Sequence, residues 1–220
     1  MKDLKRITIL SGHYGSGKTN IAVNLALGVK KLYDKVAVAD LDIVNPYFRT
    51  KDSVDDFEKN GIRLISSPYA GSNVDIPALP QEMYAITDDK SYRVIVDLGG
   101  DDRGALALGR LTPAIVAEND YEMLLVVNKF RPLTPDIEST VEVAREIELA
   151  GGIKFTGIVN NSNLGEYTTE EDILGSIEYA EQIALAMQIP VKFTSVKSDK
   201  YEKLKDKIKN LYSLELQAKI

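Results

Sequence analysis

Short runs of apolar, often β-branched residues alternate along the chain with longer stretches in which apolar residues recur every three or four positions. The first pattern is typical of buried strands and the second of helices with one buried face. We predict strands near 6–11, 35–40, 62–66, 92–98, 122–127, 154–160 and 191–195. We predict helices near 17–32, 78–86, 103–117, 136–150, 170–187 and 199–212.

This alternation favours an α/β fold of three layers, in which a mostly parallel sheet of about seven strands carries helices on both faces. Right-handed crossovers then place ligands at the carboxyl ends of the strands. The chain shows no internal repeat, no low-complexity tract and no linker, so we predict one domain over residues 1–220. The least regular stretch, residues 42–78, is rich in proline and glycine and predicts mobile loops.

Composition narrows the possible functions. Of the 220 residues, 44% are hydrophobic and 27% are charged, as in an ordinary globular protein. A net charge of −6 argues against nucleic-acid binding by electrostatics alone. The chain contains no cysteine, which excludes disulfides and thiolate metal ligands and fits a cytoplasmic location. No apolar run approaches the roughly 20 residues of a membrane span, and the charged first residues leave no room for a signal peptide.

The most informative motif follows the first predicted strand and has the form G-x-x-x-x-G-K-[ST], the P-loop. Its residues are Gly12, His13, Tyr14, Gly15, Ser16, Gly17, Lys18 and Thr19. Glycines let the backbone N–H groups approach and wrap a phosphate chain. The lysine reaches the outer phosphates, the Thr19 hydroxyl can ligate Mg²⁺, and the start of the next helix directs its positive dipole end at the same anion.

Acidic residues follow two further predicted strands. Asp40 and Asp42 end one of them, and Asp97 and Asp101 follow another. A carboxylate at a strand end beside a P-loop can hold Mg²⁺ through water or position an attacking water. We favour these roles for Asp42 and Asp97, whereas Asp40 and Asp101 are equally well explained as turn or capping residues.

The P-loop and the turns at 40–42 and 97–100 together resemble the MinD/ParA group of P-loop ATPases, which includes the nitrogenase iron protein and the CobQ/CobB-type nucleotide-binding domains. The resemblance implies an Mg-ATP-dependent switch with weak ATP hydrolysis. Asp42 matches the first-switch aspartate, which positions the hydrolytic water. Asp97 matches the second-switch aspartate, which holds Mg²⁺ through water. We therefore place Thr19, Asp42 and Asp97 around the metal.

The resemblance also implies how the switch is read out. Gly99 and Gly100 match the second-switch glycines, whose backbone senses the γ-phosphate. In the family, ATP closes a homodimer face to face and hydrolysis reopens it. The chain departs from the family at His13, its only histidine, where the family has a lysine that reaches the partner's nucleotide. A histidine is shorter and is not permanently charged, so a phosphate contact and a plain loop role are equally open for it.

The base is predicted from asparagines at strand ends. Residues 128–131 begin like the guanine-reading motif N-K-x-D, but Arg131 stands where the acceptor carboxylate belongs, so we favour ATP. In the resembling family an asparagine after a strand contacts adenine. Asn160 is the closer match and Asn161 the alternative, although asparagine is also a common turn former. Asn20, directly after the motif, completes the candidate nucleotide-binding set.

Two other functions remain open. The protein could be a small-molecule kinase or ATP-dependent ligase of the dethiobiotin-synthetase type, with a substrate pocket lined by Tyr47, Arg49 and Tyr69. It could instead be a non-catalytic adaptor that binds an unknown protein partner when nucleotide is present. The lysine-rich stretch 197–209 could anchor to a membrane, but its interspersed acids favour a helix packed on the sheet.

Overall fold

The computed structural model describes residues 4–42, 56–66, 81–100 and 102–216. Its centre is an eight-stranded sheet of order β3-β2-β4-β1-β5-β6-β7-β8, in which every neighbouring pair is parallel. The strands are β1 Ile7–Ser11, β2 Val36–Leu41, β3 Arg63–Ser66, β4 Arg93–Leu98, β5 Tyr121–Val127, β6 Gly157–Asn160, β7 Val191–Lys197 and β8 Leu211–Leu214.

Helices connect these strands. They are α1 Lys18–Lys30, α2 Ala85–Asp88, α3 Asp102–Gly109, α4 Thr112–Glu118, α5 Ile137–Gly151, α6 Glu170–Leu174, α7 Ile177–Met187 and α8 Ser198–Leu204. Residues 56–59 are also helical, and 3₁₀ turns span Gln81–Tyr84 and Gly165–Tyr167. No helix in the described ranges is long and apolar enough to cross a membrane.

The sheet is buried on both faces because its strands are apolar throughout. Every residue of β1 is buried, so alternate side chains of this central strand enter two separate cores. Helix α1 packs on one face, where Ile21 and Leu25 join Leu10. Helices α3, α4, α5 and α7 pack on the other face, in the cluster that contains Ile9. The predicted three-layer α/β fold with a parallel sheet is therefore confirmed.

The strand count is one higher than predicted, because the helix expected over 199–212 ends at Leu204. The chain then turns through Asn210, whose φ of 55° no helix accepts, and adds β8 to the edge of the sheet. Leu204 and Ile208 are buried against Val196, so their helical spacing reflects a common core. The apolar side of this lysine-rich segment is thus covered by the protein itself.

Two long predicted helices are each broken in the structure. The stretch 103–117 divides into α3 and α4, and the Thr112 hydroxyl at the junction donates to the carbonyl oxygens of Leu108 and Gly151. The stretch 170–187 divides into α6 and α7 at Ser176, whose hydroxyl donates to the Ile173 carbonyl. Side-chain bonds to the backbone compete with the helical ladder at both breaks. Most of the stretch predicted as loops, 43–55 and 67–80, lies outside the described residues.

Candidate nucleotide-binding site

The predicted site residues come together at the carboxyl edge of the sheet, because their strands are neighbours. In the register of the sheet, Asp97 of β4 pairs with Leu10 of β1 on one side and with Asp40 of β2 on the other. The loops that follow these three strands therefore meet at one edge. Paired residues of parallel strands project to the same face, which here is the face covered by α1.

The loop from Gly12 to Gly17 requires glycine at two positions for steric reasons. Gly12 has a φ of 142°, and a Cβ placed on it would lie 2.4 Å from the Val126 carbonyl oxygen. Gly17 has a φ of 93°, and its Cβ would lie 2.2 Å from Nδ2 of Asn161. Any side chain at either position would displace the neighbouring strand end or break the loop.

Helix α1 begins directly behind this loop, so its N-terminal end lies at the loop. Its N-cap is Gly17, which has no side chain to accept from the first N–H groups of the helix, and its first turn contains no acidic residue. The Ser16 N–H donates to the His13 carbonyl over 3.1 Å, which closes the loop. The N-terminal N–H groups of a helix and its dipole are the features that bind anions.

Lys18 lies folded across the loop. Its Nζ donates to the carbonyl oxygens of Gly12 at 3.0 Å and His13 at 3.2 Å, and the residue is 6% exposed. These bonds hold the ammonium group beside the backbone that would wrap the phosphates. The positive charge of Lys18 also acts on Asp97, whose pKa it lowers.

Thr19 and Asp97 form the polar centre of the site. The Thr19 hydroxyl donates to Oδ2 of Asp97 over 2.6 Å. Asp97 is 2% exposed, and its Oδ1 is buried with no hydrogen-bond partner in the described part of the chain. Burial raises the pKa of Asp97 to about 6, a rise that the Thr19 bond and the Lys18 charge oppose and the Asp42 charge increases. A group that supplied water or a cation at Oδ1 would relieve this desolvation.

These residues fit Mg²⁺ held mainly by phosphate and water. The described ranges contain no cluster of three or more acidic or histidine side chains that could hold a metal by themselves. Magnesium in nucleotide sites needs only one or two protein oxygens, and keeps several waters. The Thr19 hydroxyl would bind the magnesium ion directly. The unpartnered oxygen of Asp97 would accept a hydrogen bond from a water bound to the metal.

The two acids at the end of β2 have different roles. Oδ1 of Asp40 accepts a hydrogen bond of 2.9 Å from the Asp42 N–H, so Asp40 caps the turn that ends the strand. Asp42 is half-buried, and its charge raises the pKa of Asp97. The capping role for Asp40 was one of the two that its sequence left open. Asp101 lies outside the described residues.

The turn after β4 rests on the P-loop. A Cβ on Gly100 would lie 2.7 Å from the Tyr14 nitrogen and 3.0 Å from the Gly12 oxygen. The backbone of the predicted second switch is therefore in contact with the backbone that would wrap the phosphates.

Two asparagines lie at the end of β6, and only the second of them contacts the P-loop. Asn160 is completely buried; its Oδ1 accepts from the Ser162 hydroxyl at 2.7 Å and its Nδ2 donates to the Ser176 hydroxyl at 2.9 Å. Nδ2 of Asn161 donates to the Ser16 carbonyl at 2.7 Å, and its Oδ1 accepts from the Ser195 hydroxyl at 2.6 Å. In this arrangement the Asn160 amide is engaged by protein, so the structure does not support its predicted contact with adenine.

Three predicted residues remain: His13 and Tyr14 in the P-loop, and Asn20 at the start of α1. His13 is half-buried, and its Nδ1 lies 2.9 Å from the Tyr14 carbonyl oxygen. A carbonyl only accepts, so this contact requires the proton on Nδ1. Tyr14 is 64% exposed at the mouth of the loop. Asn20 lies in the first turn of α1, where its carbonyl accepts from Nδ2 of Asn24 at 2.8 Å.

Sequence reasoning missed two residues of the site. It treated Asn161 as a possible base contact, whereas the structure makes it the support of the P-loop. It assigned Arg131 no purpose beyond the missing guanine acceptor, whereas the structure places its guanidinium against Gly15, with Cζ 3.0 Å from the position of a Cβ. An asparagine at a strand end was a usable signal for Asn161. Nothing in the local pattern around Arg131 indicated which loop it would contact.

A parallel sheet with a glycine-rich loop leading into a helix, a buried lysine and strand-end aspartates defines a P-loop nucleotide-binding domain. The family model for the CobQ/CobB/MinD/ParA nucleotide binding domain matches residues 7–213. The chain therefore belongs to this family, as its sequence had indicated. No curated protein matches the chain significantly.

Solved structures share the fold at low sequence identity. FtsY from Mycoplasma mycoides has a TM-score of 0.58 and 19% identity, over 88% of this chain and 63% of its own. The cell division protein FtsY from Thermotoga maritima has a TM-score of 0.57 and 21% identity, over 86% of this chain and 61% of its own. FlhF complexed with GTP and Mg²⁺ has a TM-score of 0.55 and 18% identity, over 85% of this chain and 64% of its own. This chain thus spans less than two thirds of the length of these proteins.

Proposed function

We propose that this protein is an Mg-ATP-dependent switch that hydrolyses ATP slowly and forms a homodimer when ATP is bound. The observation that carries the proposal is the hydrogen bond from Thr19 to Asp97, beside a P-loop whose lysine is already folded into place. These residues would hold a triphosphate and its magnesium ion with little rearrangement. FlhF, which shares the fold, is complexed with GTP and Mg²⁺.

The preference for ATP rests on the residues at the ends of β5 and β6. The residues at these two strand ends, Asn128-Lys129-Phe130-Arg131 and Asn160-Asn161-Ser162-Asn163, include no acid. Guanine offers two adjacent N–H donors on its Watson–Crick edge, which a carboxylate accepts best. Since neither four-residue stretch supplies a carboxylate, adenine is the better fit.

Hydrolysis is assigned to a water positioned by Asp42, with Lys18 stabilising charge on the outer phosphates. The charge of Asp42 raises the pKa of Asp97, which supports its assignment to the same site. Magnesium supplies charge neutralisation for the phosphates when it is bound. The chain's own part is to orient the water and to hold the phosphates in the loop.

In this proposal the switch is the formation of a homodimer when ATP is bound. The exposed Tyr14 in the P-loop and the Gly100 turn packed on that loop would form part of the face that meets the second subunit. A partner protein that recognises the closed state, and a cytoplasmic location, are parts of this proposal. The kinase or ligase alternative depends on Tyr47, Arg49 and Tyr69, which lie outside the described residues, so no observation favours it.

Isothermal titration calorimetry of the purified protein with Mg-ATP and Mg-GTP tests the nucleotide assignment. We expect ATP to bind at least tenfold more tightly than GTP. Size-exclusion chromatography with a non-hydrolysable ATP analogue, compared with ADP, tests the switch. A monomer in both conditions, together with ATP binding, would refute the dimer and favour the kinase or ligase reading.

A further inference from the structure

Arg131 lies in a position that the proposed mechanism leaves unused. Three atoms of its guanidinium, Cζ, Nη1 and Nε, lie 3.0, 3.2 and 3.3 Å from the point where a Cβ on Gly15 would be. The group is therefore in van der Waals contact with the outer turn of the P-loop. Gly15 has a φ of 76°, so the loop presents bare backbone to the arginine at this point.

The guanidinium has no protein partner in the part of the chain that the structure describes. No hydrogen bond, ion pair or ring contact joins it to another side chain or carbonyl there. The neighbouring Lys129, by contrast, donates to the Gly175 carbonyl at 3.0 Å. A guanidinium carries five N–H donors in a flat fork that matches carboxylate and phosphate geometry. The donors of Arg131 thus remain available at the edge of an anion site.

The backbone that carries Arg131 is held firmly. Its N–H donates to the Asn128 carbonyl at 3.1 Å, and its carbonyl accepts from the Thr134 N–H at 3.2 Å. Asn128 is 2% exposed, and its Oδ1 accepts from the N–H groups of Phe130 at 3.1 Å and Asn163 at 3.2 Å. A side chain on a fixed backbone loses less entropy when it binds a ligand.

We propose that Arg131 is a second permanent cation of the nucleotide site and binds phosphate oxygens from within the same chain. The inference rests on the proposed function in requiring a polyphosphate ligand. It identifies a source of positive charge besides Lys18. Arg131 is always charged and approaches the loop from β5, on the opposite side from the Gly100 turn.

The test uses two probes, Mg-ATP and inorganic tripolyphosphate, which lacks base and ribose. Arg131→Ala should weaken the binding of both by about ten- to a hundredfold, the usual effect of losing a charge-assisted hydrogen bond to phosphate. Arg131→Lys should recover part of the affinity, because it keeps the charge and loses the fork. Arg145→Ala, which removes an equally exposed arginine from α5, should change neither Kd more than about twofold.

Each other outcome overturns the inference in a distinguishable way. Unchanged binding of both probes by Arg131→Ala, while the unaltered protein binds them, removes Arg131 from the site and leaves the nucleotide function intact. Weaker binding of ATP with unchanged binding of tripolyphosphate places the arginine on the base or ribose. If the unaltered protein binds neither probe, the nucleotide function itself fails. Circular dichroism and a thermal melt check that each variant is folded.

Discussion

The side-chain amide of Asn161 donates a hydrogen bond of 2.7 Å to the carbonyl oxygen of Ser16, so the end of β6 supports the centre of the P-loop. The same amide accepts from the Ser195 hydroxyl of β7. Two strands are thereby connected to the loop through one buried side chain. The shape of the loop depends on residues more than a hundred positions away in the sequence.

Asn161→Ala should lower both stability and nucleotide affinity. The change leaves the buried Ser16 carbonyl without this donor, which costs about 1–3 kcal/mol for an unsatisfied group, and removes one of the two acceptors of the Ser195 hydroxyl. Urea unfolding gives the loss of stability, and calorimetry with Mg-ATP gives the loss of affinity. Ser195→Ala is the matched control, since it keeps the bond to Ser16 and should leave affinity nearly unchanged. Equal affinities for Asn161→Ala and the unaltered protein would contradict a supporting role.

Lys18→Ala should abolish measurable binding of Mg-ATP, because the Lys18 ammonium group is the positive charge held against the P-loop backbone. We expect an increase in Kd of at least about a hundredfold, in line with the loss of a charged contact to phosphate in a buried site. Calorimetry measures the change. Lys31→Ala, at the exposed far end of α1, is the control and should bind as the unaltered protein does.

Asp97→Asn should change how stability depends on pH in the absence of magnesium and nucleotide. The pKa of Asp97 is raised to about 6 by burial, so between pH 4 and 6 the folded state binds more protons than the unfolded state. Stability must then fall as the pH rises through this window. The asparagine variant lacks this fall, so its stability relative to the unaltered protein should increase by up to about 3 kcal/mol, at about 1.4 kcal/mol per unit of pKa shift.

Urea unfolding at pH 4, 5, 6 and 8 with a chelator present measures this difference. Glu146→Gln on the exposed side of α5 should leave the pH profile unaltered. A variant whose stability parallels that of the unaltered protein across the whole range would show that Asp97 titrates normally. Asp97→Asn should also lose the dependence of ATP binding on magnesium.

Asp42→Ala should keep nucleotide binding and lose turnover. The backbone N–H of residue 42 donates to Oδ1 of Asp40. The substitution does not affect this bond, so the turn after β2 is preserved. Removal of a group that positions or activates water lowers rates by about 10²–10⁴. A phosphate-release assay beside calorimetry separates the two effects, with Asp34→Ala as an exposed control. Normal turnover by Asp42→Ala would remove this residue from the mechanism.

Much of the fold and of the site can be predicted from short stretches of sequence. The P-loop is such a stretch, because the strand, the glycines, Lys18 and Thr19 act within one continuous segment. The aspartates at the ends of β2 and β4 could also be identified, since an apolar run that ends in an acid shows where a buried strand reaches the ligand side of a parallel sheet. The family and the three-layer fold follow from these patterns.

Other features were decided only when the chain folded. Leu204, Ile208 and Leu211 have helical spacing, yet the last of them begins β8, because a vacant sheet edge beside β7 competes successfully with helix propensity. Asn161 and Arg131 acquire their roles from Ser16 and Gly15, which approach them only through the order of the strands. Local sequence determines which segments bind phosphate, whereas long-range packing determines which side chains surround it.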